Sequence, residues 1–377
     1  MLRFLTAGES HGPAMVGIIE GLPAGLKIDE EKINFDLMRR QKSYGRGYRM
    51  KKIEKDMVEI VGGLRNGITI GAPLALQIKN KDWEIRKKRK SRVKTIPRPG
   101  HADLAGTIKY RFADIQDVIE RASARETAMR TAIGAVAKIL LAKFGVDIIS
   151  HVIRIGRAKV SRQLPKFDEI KREVAKSPVY CAVPQVSKKM CLEIDRAKKI
   201  GDTVGGVFEV VAINLPVGLG SYVHYDRKLE GKLALAIMSI PSVKAVEFGD
   251  GIRNAFRYGS KVHDEIIIKS NELTHRTNRA GGIEGGVTNG EPIILRGFAK
   301  PISSLKEPLK SVDIRGGKRT CAPYVRSDVC VVPAAGVIGE AMTAWVLAEA
   351  FMEKFGGDSM DEIKMNFENY NSFRMSF

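Results

Sequence analysis

The sequence predicts an α+β fold in which long helices lie together at the centre and mostly antiparallel sheets cover them. Short segments with the alternation of β-strands are separated by longer segments with the apolar spacing of helices. Three short features also recur in the same order in the second half of the chain. With 377 residues the chain can form a large core, since chains of about 300 residues bury roughly three quarters of their unfolded surface.

The recurring features are two leucine-proline turns, two glycine-rich turns and two helix ends. They pair residues 22–26 with 215–219, residues 62–67 with 285–290, and residues 143–145 with 354–356. We interpret them as an internal duplication of a strand-helix-strand-helix unit. The pseudo-repeated halves would cover roughly residues 1–200 and 201–377 of a single domain, residues 1–377. Chance similarity between glycine turns is the alternative interpretation.

The first half of the chain contains several short strand patterns around one helix. Strands are expected at residues 3–6, 15–20, 58–61 and 74–78. In the last of these, Leu74, Leu76 and Ile78 alternate with other residues and therefore share one face of the strand. A helix is expected to begin near Asp29, with Ile33 and Leu37 on one face.

Three longer helices follow. Ser123 and Glu126 have the spacing of a capping box, and the apolar residues after them repeat at helical spacing up to Gly145. A similar helix is predicted from about Ile338 to Phe355. The third is predicted from about Lys228 to Met238 and has to end before Pro241.

Composition excludes several protein classes. No apolar run approaches the ~20 residues needed to cross a bilayer, and the N-terminus lacks the apolar segment of a signal peptide. We therefore expect a cytoplasmic protein without a membrane partner. The four cysteines lack the spacing of a disulfide framework or a zinc site, and no paired-histidine metal motif is present, so we expect no metal. We expect the cysteines to be small buried apolar residues.

The formal charge of +20 requires an explanation, and a basic nucleic-acid-binding protein is the main alternative function. Aromatic residues make up only 7% of the chain, and no stacking platform is interleaved with the basic segments. The strongest basic run, residues 86–92, fits either a nucleic-acid patch or a solvated loop. We favour the solvated loop and expect no nucleic-acid partner.

Three polar segments, residues 8–12, 98–103 and 121–127, combine glycine or other small residues with histidine, serine and arginine. His11 and His101 lie among small residues, where a buried core histidine is not expected. Each could transfer a proton near neutral pH. Such segments place proton donors and cations on backbone that a small anion can approach.

Arginines are concentrated in the same parts of the chain. Arg39, Arg40, Arg46 and Arg49 surround a glycine-containing loop, while Arg98 and Arg125 belong to the polar segments. Guanidinium groups bind carboxylate and phosphate oxygens with two parallel hydrogen bonds. Arginines that converge on one small volume would repel each other without an anion. They therefore indicate a substrate with several negative charges, although a solvated basic loop is the alternative.

Two later segments give weaker signals. Residues 281–286 are rich in glycine, and Lys300 with the two serines of residues 300–304 could hold a phosphate. Arg326-Ser327-Asp328 precedes an apolar stretch, and either a surface ion pair or an acid-base role is compatible with it. No glycine motif of the Rossmann type is present between a strand and a helix.

Together, the three polar segments, residues 300–304 and the Arg326-Ser327-Asp328 triplet resemble the chorismate synthase family over nearly the whole chain. The resemblance implies a β-α-β sandwich, usually assembled as a homotetramer. It also implies conversion of 5-enolpyruvylshikimate 3-phosphate to chorismate by 1,4-anti elimination of phosphate and the pro-R hydrogen at C6. This last step of the shikimate pathway requires reduced FMN but involves no net redox change.

The resemblance also implies residue roles. His11 would protonate the departing phosphate, His101 would protonate or stabilise the reduced flavin, and Asp328 would assist the deprotonation with flavin N5. The substrate-binding set is Ser10, Arg40, Arg46, Arg49, Arg98 and Arg125. The FMN-binding set is Arg121, Ala122, Ser123, Asn254, Ala255, Gly285, Lys300, Pro301, Ile302, Ser303, Ser304 and Arg326. Arg40 and Arg46 are also implied to contact NADP.

The source of reducing equivalents stays open. Family members with and without their own flavin reductase share these motifs. A chain without large insertions favours dependence on an external flavin reductase, with NADPH as the alternative direct reductant. A phosphosubstrate lyase that needs no flavin is a further alternative. It predicts turnover in the absence of any reductant.

Overall fold

The structure, a computed structural model, describes residues 1–86, 92–160, 165–325 and 328–372. The strands are β1 (Arg3–Ala7), β2 (Ala14–Glu20), β3 (Glu59–Gly62), β4 (Leu64–Arg65), β5 (Ile68–Thr69), β6 (Leu74–Lys79), β7 (Asp147–Ile155), β8 (Ala158–Lys159), β9 (Gly206–Ile213), β10 (Val243–Phe248), β11 (Ile266–Lys269), β12 (Glu272–His275), β13 (Ile283–Glu284), β14 (Val287–Thr288), β15 (Ile293–Ala299), β16 (Lys310–Asp313) and β17 (Lys318–Cys321). The helices are α1 (Glu30–Gln41), α2 (Lys81–Arg86), α3 (Asp103–Tyr110), α4 (Ile115–Ala122), α5 (Thr127–Ala142), α6 (Phe167–Val174), α7 (Pro184–Lys199), α8 (Leu229–Met238), α9 (Gly251–Asn254), α10 (Val332–Phe355) and α11 (Met360–Ser372).

Two antiparallel sheets enclose a layer of helices. One sheet has the strand order β1-β2-β6-β3 and the other has the order β10-β15-β9-β7-β8. Helix α5 packs on β2 and β6, while α10 packs on β7 and β9, and the two helices pack on each other. Helices α1 and α8 complete the layer. The predicted α+β fold with helices between antiparallel sheets is confirmed.

The helical layer requires close approach between its two longest members. A Cβ atom on Gly134 of α5 would collide with the backbone and side chain of Ala341 in α10. Gly339 of α10 leaves similar room for the ring of Phe208, which is fully buried on β9. Small residues at these crossings therefore let α10 pack between α5 and the second sheet.

Several sequence-based expectations about local structure are confirmed. Asp29 caps α1 by accepting hydrogen bonds from the backbone N–H groups of Glu31 and Lys32. Leu74, Leu76 and Ile78 are completely buried on β6. Cysteines behave less uniformly than expected, because the structure buries Cys181 and Cys330, leaves Cys191 intermediate and exposes Cys321.

Two expectations about helix starts are wrong. Ser123 and Glu126 do not form a capping box, because the Ser123 hydroxyl accepts from Arg125 N and the Glu126 carboxylate pairs with Arg130. Helix α10 begins at Val332, several residues before the predicted start at Ile338. Pro333 is tolerated there because the first turn of a helix does not need its missing N–H group.

The two sheets have the same strand connectivity, with β1, β2, β6 and β3 corresponding to β7, β9, β15 and β10. Thr69 and Thr288 occupy equivalent places: each hydroxyl donates to a proline carbonyl and accepts from a leucine N–H. This equivalence aligns residues 62–67 with 281–286, so the match with 285–290 is wrong by four residues. We continue to propose the duplication itself.

Within the described ranges of the chain, one helix, α10, is long and apolar enough to cross a membrane by length and composition, although the sequence predicted no apolar run of that length. Its most apolar window has a mean hydropathy of 1.3, and 89% of that window is buried inside the fold. The core helix of a globular protein meets the same criteria, and α10 occupies the central layer here.

Candidate active site

A large open cavity of about 1520 Å³ lies where the three polar segments meet. A smaller cavity of about 210 Å³ adjoins it. The residues that line both are Arg49, Ser123, Ala124, Pro241, Ser242, Asp328 and Val331. The two cavities therefore form one continuous candidate site with a wide part and a narrow part.

The loop after β1 brings His11 to the wide cavity. Gly8 has a φ of +104° and would collide with the backbone of Ala14 if it carried a side chain. The side chain of Asn80 donates to the carbonyl oxygens of Glu9 and Gly12 at 3.1 and 2.8 Å. These contacts fix the backbone of the loop between β1 and β2. They therefore determine where the Cα atom of His11 lies.

The His11 imidazole is paired with a carboxylate from helix α4. Its Nδ1 atom lies 3.0 Å from Glu120 Oε1, and its backbone N–H donates to Glu120 Oε2 at 2.7 Å. Burial alone would raise the pKa of Glu120, but hydrogen bonds from His11 and Gln116 lower it to about 2. Glu120 is therefore ionised at neutral pH, and Nδ1 of His11 has to be the donor.

His101 has a comparable carboxylate partner in Asp103, the first residue of α3. His101 Nδ1 lies 2.5 Å from Asp103 Oδ1, and Asp103 is almost completely buried. Although burial opposes ionisation, the hydrogen bonds of His101 and Arg98 hold the pKa of Asp103 well below its usual value. An ionised Asp103 fixes Nδ1 of His101 as a donor, so Nε2 is the acceptor nitrogen of the neutral ring.

Arg98 is held mainly by the protein itself. Its Nε and Nη2 atoms donate to the two oxygens of Asp103 at 2.7 and 2.9 Å, and Nη1 lies 3.4 Å from Ser304 Oγ. Lys300 approaches from the other side and donates to the carbonyl of Gly100 at 2.6 Å. The structure therefore joins residues 98–103 to residues 300–304, as a shared wall of the wide cavity.

Four arginines surround the narrow cavity: Arg40, Arg46, Arg49 and Arg125. Arg40 donates to Thr127 Oγ1 and the carbonyl of Ala124, and it shares the buried carboxylate of Asp56 with Arg125. Burial, together with Arg46 and Arg125, lowers the pKa of Arg40 to about 10 despite the opposing charge of Asp56. A cation with a lowered pKa among other cations is electrostatically suited to an anionic ligand.

The remaining two arginines of the narrow cavity are also oriented by carboxylates. Arg46 pairs with Asp328, which additionally accepts from the Gly47 N–H at 2.6 Å. Arg49 donates to the buried Glu54 at 3.0 and 2.8 Å and to the carbonyl of Ser10 at 2.7 Å. Buried Nε of Arg46 and Nη2 of Arg125 have no hydrogen-bond partner, so both retain donor capacity.

Most of the site residues expected from the sequence meet at these cavities. Those that line the wide or narrow cavity are Ser10, His11, Arg40, Arg46, Arg49, Arg98, His101, Ala122, Ser123, Arg125, Lys300, Ile302, Ser303, Ser304 and Asp328. Pro301 lies between lining residues but does not line the wall itself. Arg326 lies outside the described residues, as do residues 87–91 of the basic run.

Four expected FMN contacts lie away from the cavities. Arg121 turns outward and donates to the carbonyl and hydroxyl of Thr6. Asn254 ends helix α9, where its amide donates to the carbonyl of Arg279 at 3.3 Å and its buried Oδ1 has no hydrogen-bond partner. Ala255 follows it, and Gly285 forms the exposed turn between β13 and β14. Within the one chain, these residues are not brought to the site.

Sequence reasoning missed the carboxylates that orient the site. Glu120 directly precedes the polar segment 121–127 and Asp103 belongs to the segment 98–103, so their position beside these segments was a usable signal. Glu54 and Asp56 lie in an unremarkable stretch that carries no such signal. Among the described residues, no group of three or more histidine, cysteine or acidic side chains is arranged to hold a metal ion.

Comparisons with known proteins agree over the length of the chain. The family model described as chorismate synthase matches residues 2–352. The chorismate synthase of Carboxydothermus hydrogenoformans is 52% identical over 378 residues, covering 98% of each protein, and that of Bacillus subtilis is 49% identical over 391 residues, covering 100% of each. A solved structure titled as a crystal structure of chorismate synthase has a TM-score of 0.81 and 41% identity, covering 98% of this chain and 97% of that one.

Proposed function

The chain belongs to the chorismate synthase family of lyases, and on that premise we propose that it converts 5-enolpyruvylshikimate 3-phosphate to chorismate and phosphate with the help of reduced FMN. The observation that carries the proposal is the meeting of two histidine-carboxylate pairs and four arginines at one continuous site.

Substrate binding is assigned to the narrow cavity. The substrate has a phosphate and two carboxylates, and the wall presents Arg40, Arg46, Arg49 and Arg125. The carboxylates of Glu54 and Asp56 have no exposed side-chain surface, so they orient the guanidinium groups without facing the ligand. Donor atoms of Arg46 and Arg125 that have no hydrogen-bond partner would bind the substrate oxygens.

The wide cavity fits FMN by its size and its donor groups. Lys300, Ser303 and Ser304 line the cavity and suit a phosphate, while Ala122 and Ser123, which also line it, suit a flat ring system. Reduced FMN would supply the electron-rich ring on which the elimination depends. His101 lines the same cavity, and Asp103 keeps its ring oriented toward a ligand there.

In the proposed elimination, the C3–O electron pair would leave with the phosphate, which takes a proton from His11 Nε2, while the C6 hydrogen would leave as a proton and its bonding electrons would enter the new double bond. We assign assistance in that second step to Asp328, because it lines both cavities and is held by Arg46 and the Gly47 N–H. The guanidinium groups would stabilise the negative charge that grows on the phosphate.

We also propose that copies of the chain associate, as expected for a homotetramer. Asn254, Ala255 and Gly285 could reach a flavin only in the cavity of another copy. Large apolar side chains are exposed near them, and they are Ile252, Phe256, Tyr258 and Ile266. An exposed apolar surface of this kind is typical of an interface between proteins.

Two further assignments follow from the burial of the arginines and from family membership. Arg40 and Arg46 are buried in the narrow cavity, which favours the substrate over the larger NADP as their ligand. We therefore propose an external flavin reductase as the source of reduced FMN, and the cytoplasm, where such a partner is present, as the location.

The test is chorismate formation under anaerobic conditions with oxidised FMN, chemically reduced FMN, or oxidised FMN and NADPH. We expect turnover only with reduced FMN. Turnover with NADPH would replace the external reductase by a built-in one, and turnover without any flavin would support the flavin-independent lyase. Absence of turnover with reduced FMN, together with salt-dependent DNA binding, would support the nucleic-acid alternative.

A further inference from the structure

We propose that Glu120 is the positioning residue of His11: its carboxylate fixes which imidazole nitrogen carries the proton and aims the other, Nε2, at the substrate phosphate. The proposal rests on the proposed function, since it assigns the partner of the proton donor in that reaction. It concerns a glutamate to which no role was assigned from the sequence.

The geometry supports this role through three contacts between Glu120 and a single loop. Its backbone carbonyl accepts from Ser10 N at 2.8 Å, Oε2 accepts from His11 N at 2.7 Å, and Oε1 lies 3.0 Å from His11 Nδ1. One residue thus holds both the backbone and the ring of His11. Neither can rotate without breaking a hydrogen bond to the same carboxylate.

A second layer of contacts holds the carboxylate. Gln116, one turn earlier on α4, donates its side-chain amide to Glu120 Oε1, and Lys94 donates to the amide oxygen of Gln116. Because the Gln116 amide is oriented by Lys94, its NH₂ group faces Glu120. Lys94, Gln116, Glu120 and His11 therefore form one connected series of side-chain hydrogen bonds along the wall of the wide cavity.

The other ring nitrogen faces the site. His11 Nε2 lies 3.3 Å from Nη1 of Arg49, which lines both cavities, and a guanidinium can only donate. Nε2 therefore accepts from Arg49, and the neutral ring is the Nδ1–H form. After Nε2 gives its proton to the phosphate, the same Nδ1–H form results, so Glu120 neither gains nor loses a proton in the step.

The substitution Glu120→Gln makes a sharp test because an amide has one acceptor and one donor where the carboxylate has two acceptors. The backbone N–H of His11 cannot change, so the amide oxygen turns to it and the NH₂ group faces Nδ1. This arrangement favours the Nε2–H form of the ring. Asp117→Asn is the matched control, since Asp117 is exposed on the same helix and makes no side-chain contact with His11.

Two measurements are needed. Histidine ¹⁵N spectra near pH 8, with the His11 signals assigned by loss in His11→Asn, report which ring nitrogen carries the proton in the neutral form. Steady-state kinetics with reduced FMN report kcat and KM separately. In Glu120→Gln we expect the neutral His11 ring to be in the Nε2–H form. We also expect kcat to fall roughly 10- to 100-fold, because a positioned general acid contributes roughly 10²- to 10⁴-fold in total and only part of that contribution would be lost. KM should change little, and Asp117→Asn should alter neither.

An Nε2–H form in the unmutated protein, or an unchanged kcat in Glu120→Gln, would overturn the proposal. The spectrum of the unmutated protein decides the matter even if the variant does not fold. It also separates the two hypotheses: an Nδ1–H ring in a protein that forms no chorismate would refute the proposed function and retain the positioning role.

Discussion

Arg39 and Glu340 lie 301 residues apart in the chain and form a two-pronged ion pair at the centre of the helical layer, with both N–O distances at 2.8 Å. Arg39 stands outside the cavities, although the sequence grouped it with the arginines of the anion site. Glu340 also accepts from Lys138 and from the N–H and hydroxyl of Ser150. These contacts outweigh burial and hold the pKa of Glu340 below its usual value.

The first prediction is that Glu340→Gln strongly destabilises the protein. Removing one member of a buried ion pair typically costs about 3–5 kcal/mol, because the partner charge stays buried without compensation. Here Arg39 and Lys138 would have to share Asp36 as their remaining anionic partner, at 3.0 and 2.9 Å. Urea unfolding should show this loss, whereas Glu349→Gln on the exposed side of the same helix should cost about 0–1 kcal/mol. Similar losses in the two variants would contradict the central role of the cluster.

The second prediction concerns acid stability. The pKa of Glu120 is about 2 in the folded protein against 4.5 for an ordinary glutamate. The unfolded chain therefore takes up this proton first, so the contribution of Glu120 is complete above about pH 4.5 and is lost as the pH falls toward 2. The difference in unfolding free energy between the protein and Glu120→Gln should shrink between about pH 5 and about pH 3. A constant difference would show that Glu120 is not ionised preferentially in the folded state.

The third prediction is that Arg125→Lys weakens substrate binding although the charge is kept. Arg125 uses Nε for Asn80 and Nη1 for Asp56, and its Nη2 has no hydrogen-bond partner. Lysine cannot reproduce this fork. Since a hydrogen bond to a charged group contributes about 1.5–3 kcal/mol, kcat/KM should fall roughly 10- to 100-fold.

Arg130→Lys is the control for that experiment. Arg130 lies on α5 close to Arg125 in the chain, pairs with Glu126 and does not line either cavity. Its kinetics should match those of the unmutated protein. Equal losses in the two variants would indicate a general effect on folding, not loss of an anion contact, and would remove Arg125 from the substrate site.

The site illustrates what sequence reasoning can and cannot find. His11 and His101 were identifiable because each lies in a polar segment unsuited to a core. Their orientation was not, because it depends on contacts such as His11 with Glu120, 109 residues away, and Arg125 with Asp56, 69 residues away. Arg39 shows the converse: a basic residue beside a polar loop was grouped with the site, but helix α1 turns it into the core.

The fourth prediction is that Lys300→Met weakens FMN binding. Lys300 lines the wide cavity together with Ser303 and Ser304, and its ammonium group donates to the neutral carbonyl of Gly100 at 2.6 Å. Loss of a charge-assisted contact to a phosphate should raise the FMN Kd about 10-fold. Lys306→Met in the same loop is the control, since Lys306 is exposed and does not line the cavity. Equal FMN affinity in both variants, measured by fluorescence titration, would place the phosphate elsewhere.

The fold was easier to predict from the sequence than the site, because most of the features that determine the fold are local in the chain. The alternation in β6 and the helical spacing of Ile33 and Leu37 after Asp29 were sufficient to place β6 and α1. The alignment of one half of the chain with the other depends on contacts that are not local in the sequence. Glycines recur so often that 62–67 can be aligned with either 281–286 or 285–290, and only the hydrogen bonds of Thr69 and Thr288 distinguish the two alignments.

The fifth prediction tests that equivalence. The Thr69 hydroxyl accepts from Leu26 N at 2.9 Å and donates to the carbonyl of Pro23 at 2.6 Å, while Thr288 contacts Leu219 and Pro216 at 2.8 and 2.7 Å. Both threonines are almost completely buried. Replacing either by valine preserves the shape but leaves the same two backbone groups without a partner. Each variant should lose about 1–3 kcal/mol of unfolding free energy, and the two losses should be similar. A large loss in only one of them, measured by urea unfolding, would mean that the two turns support their halves in different ways despite their matching geometry.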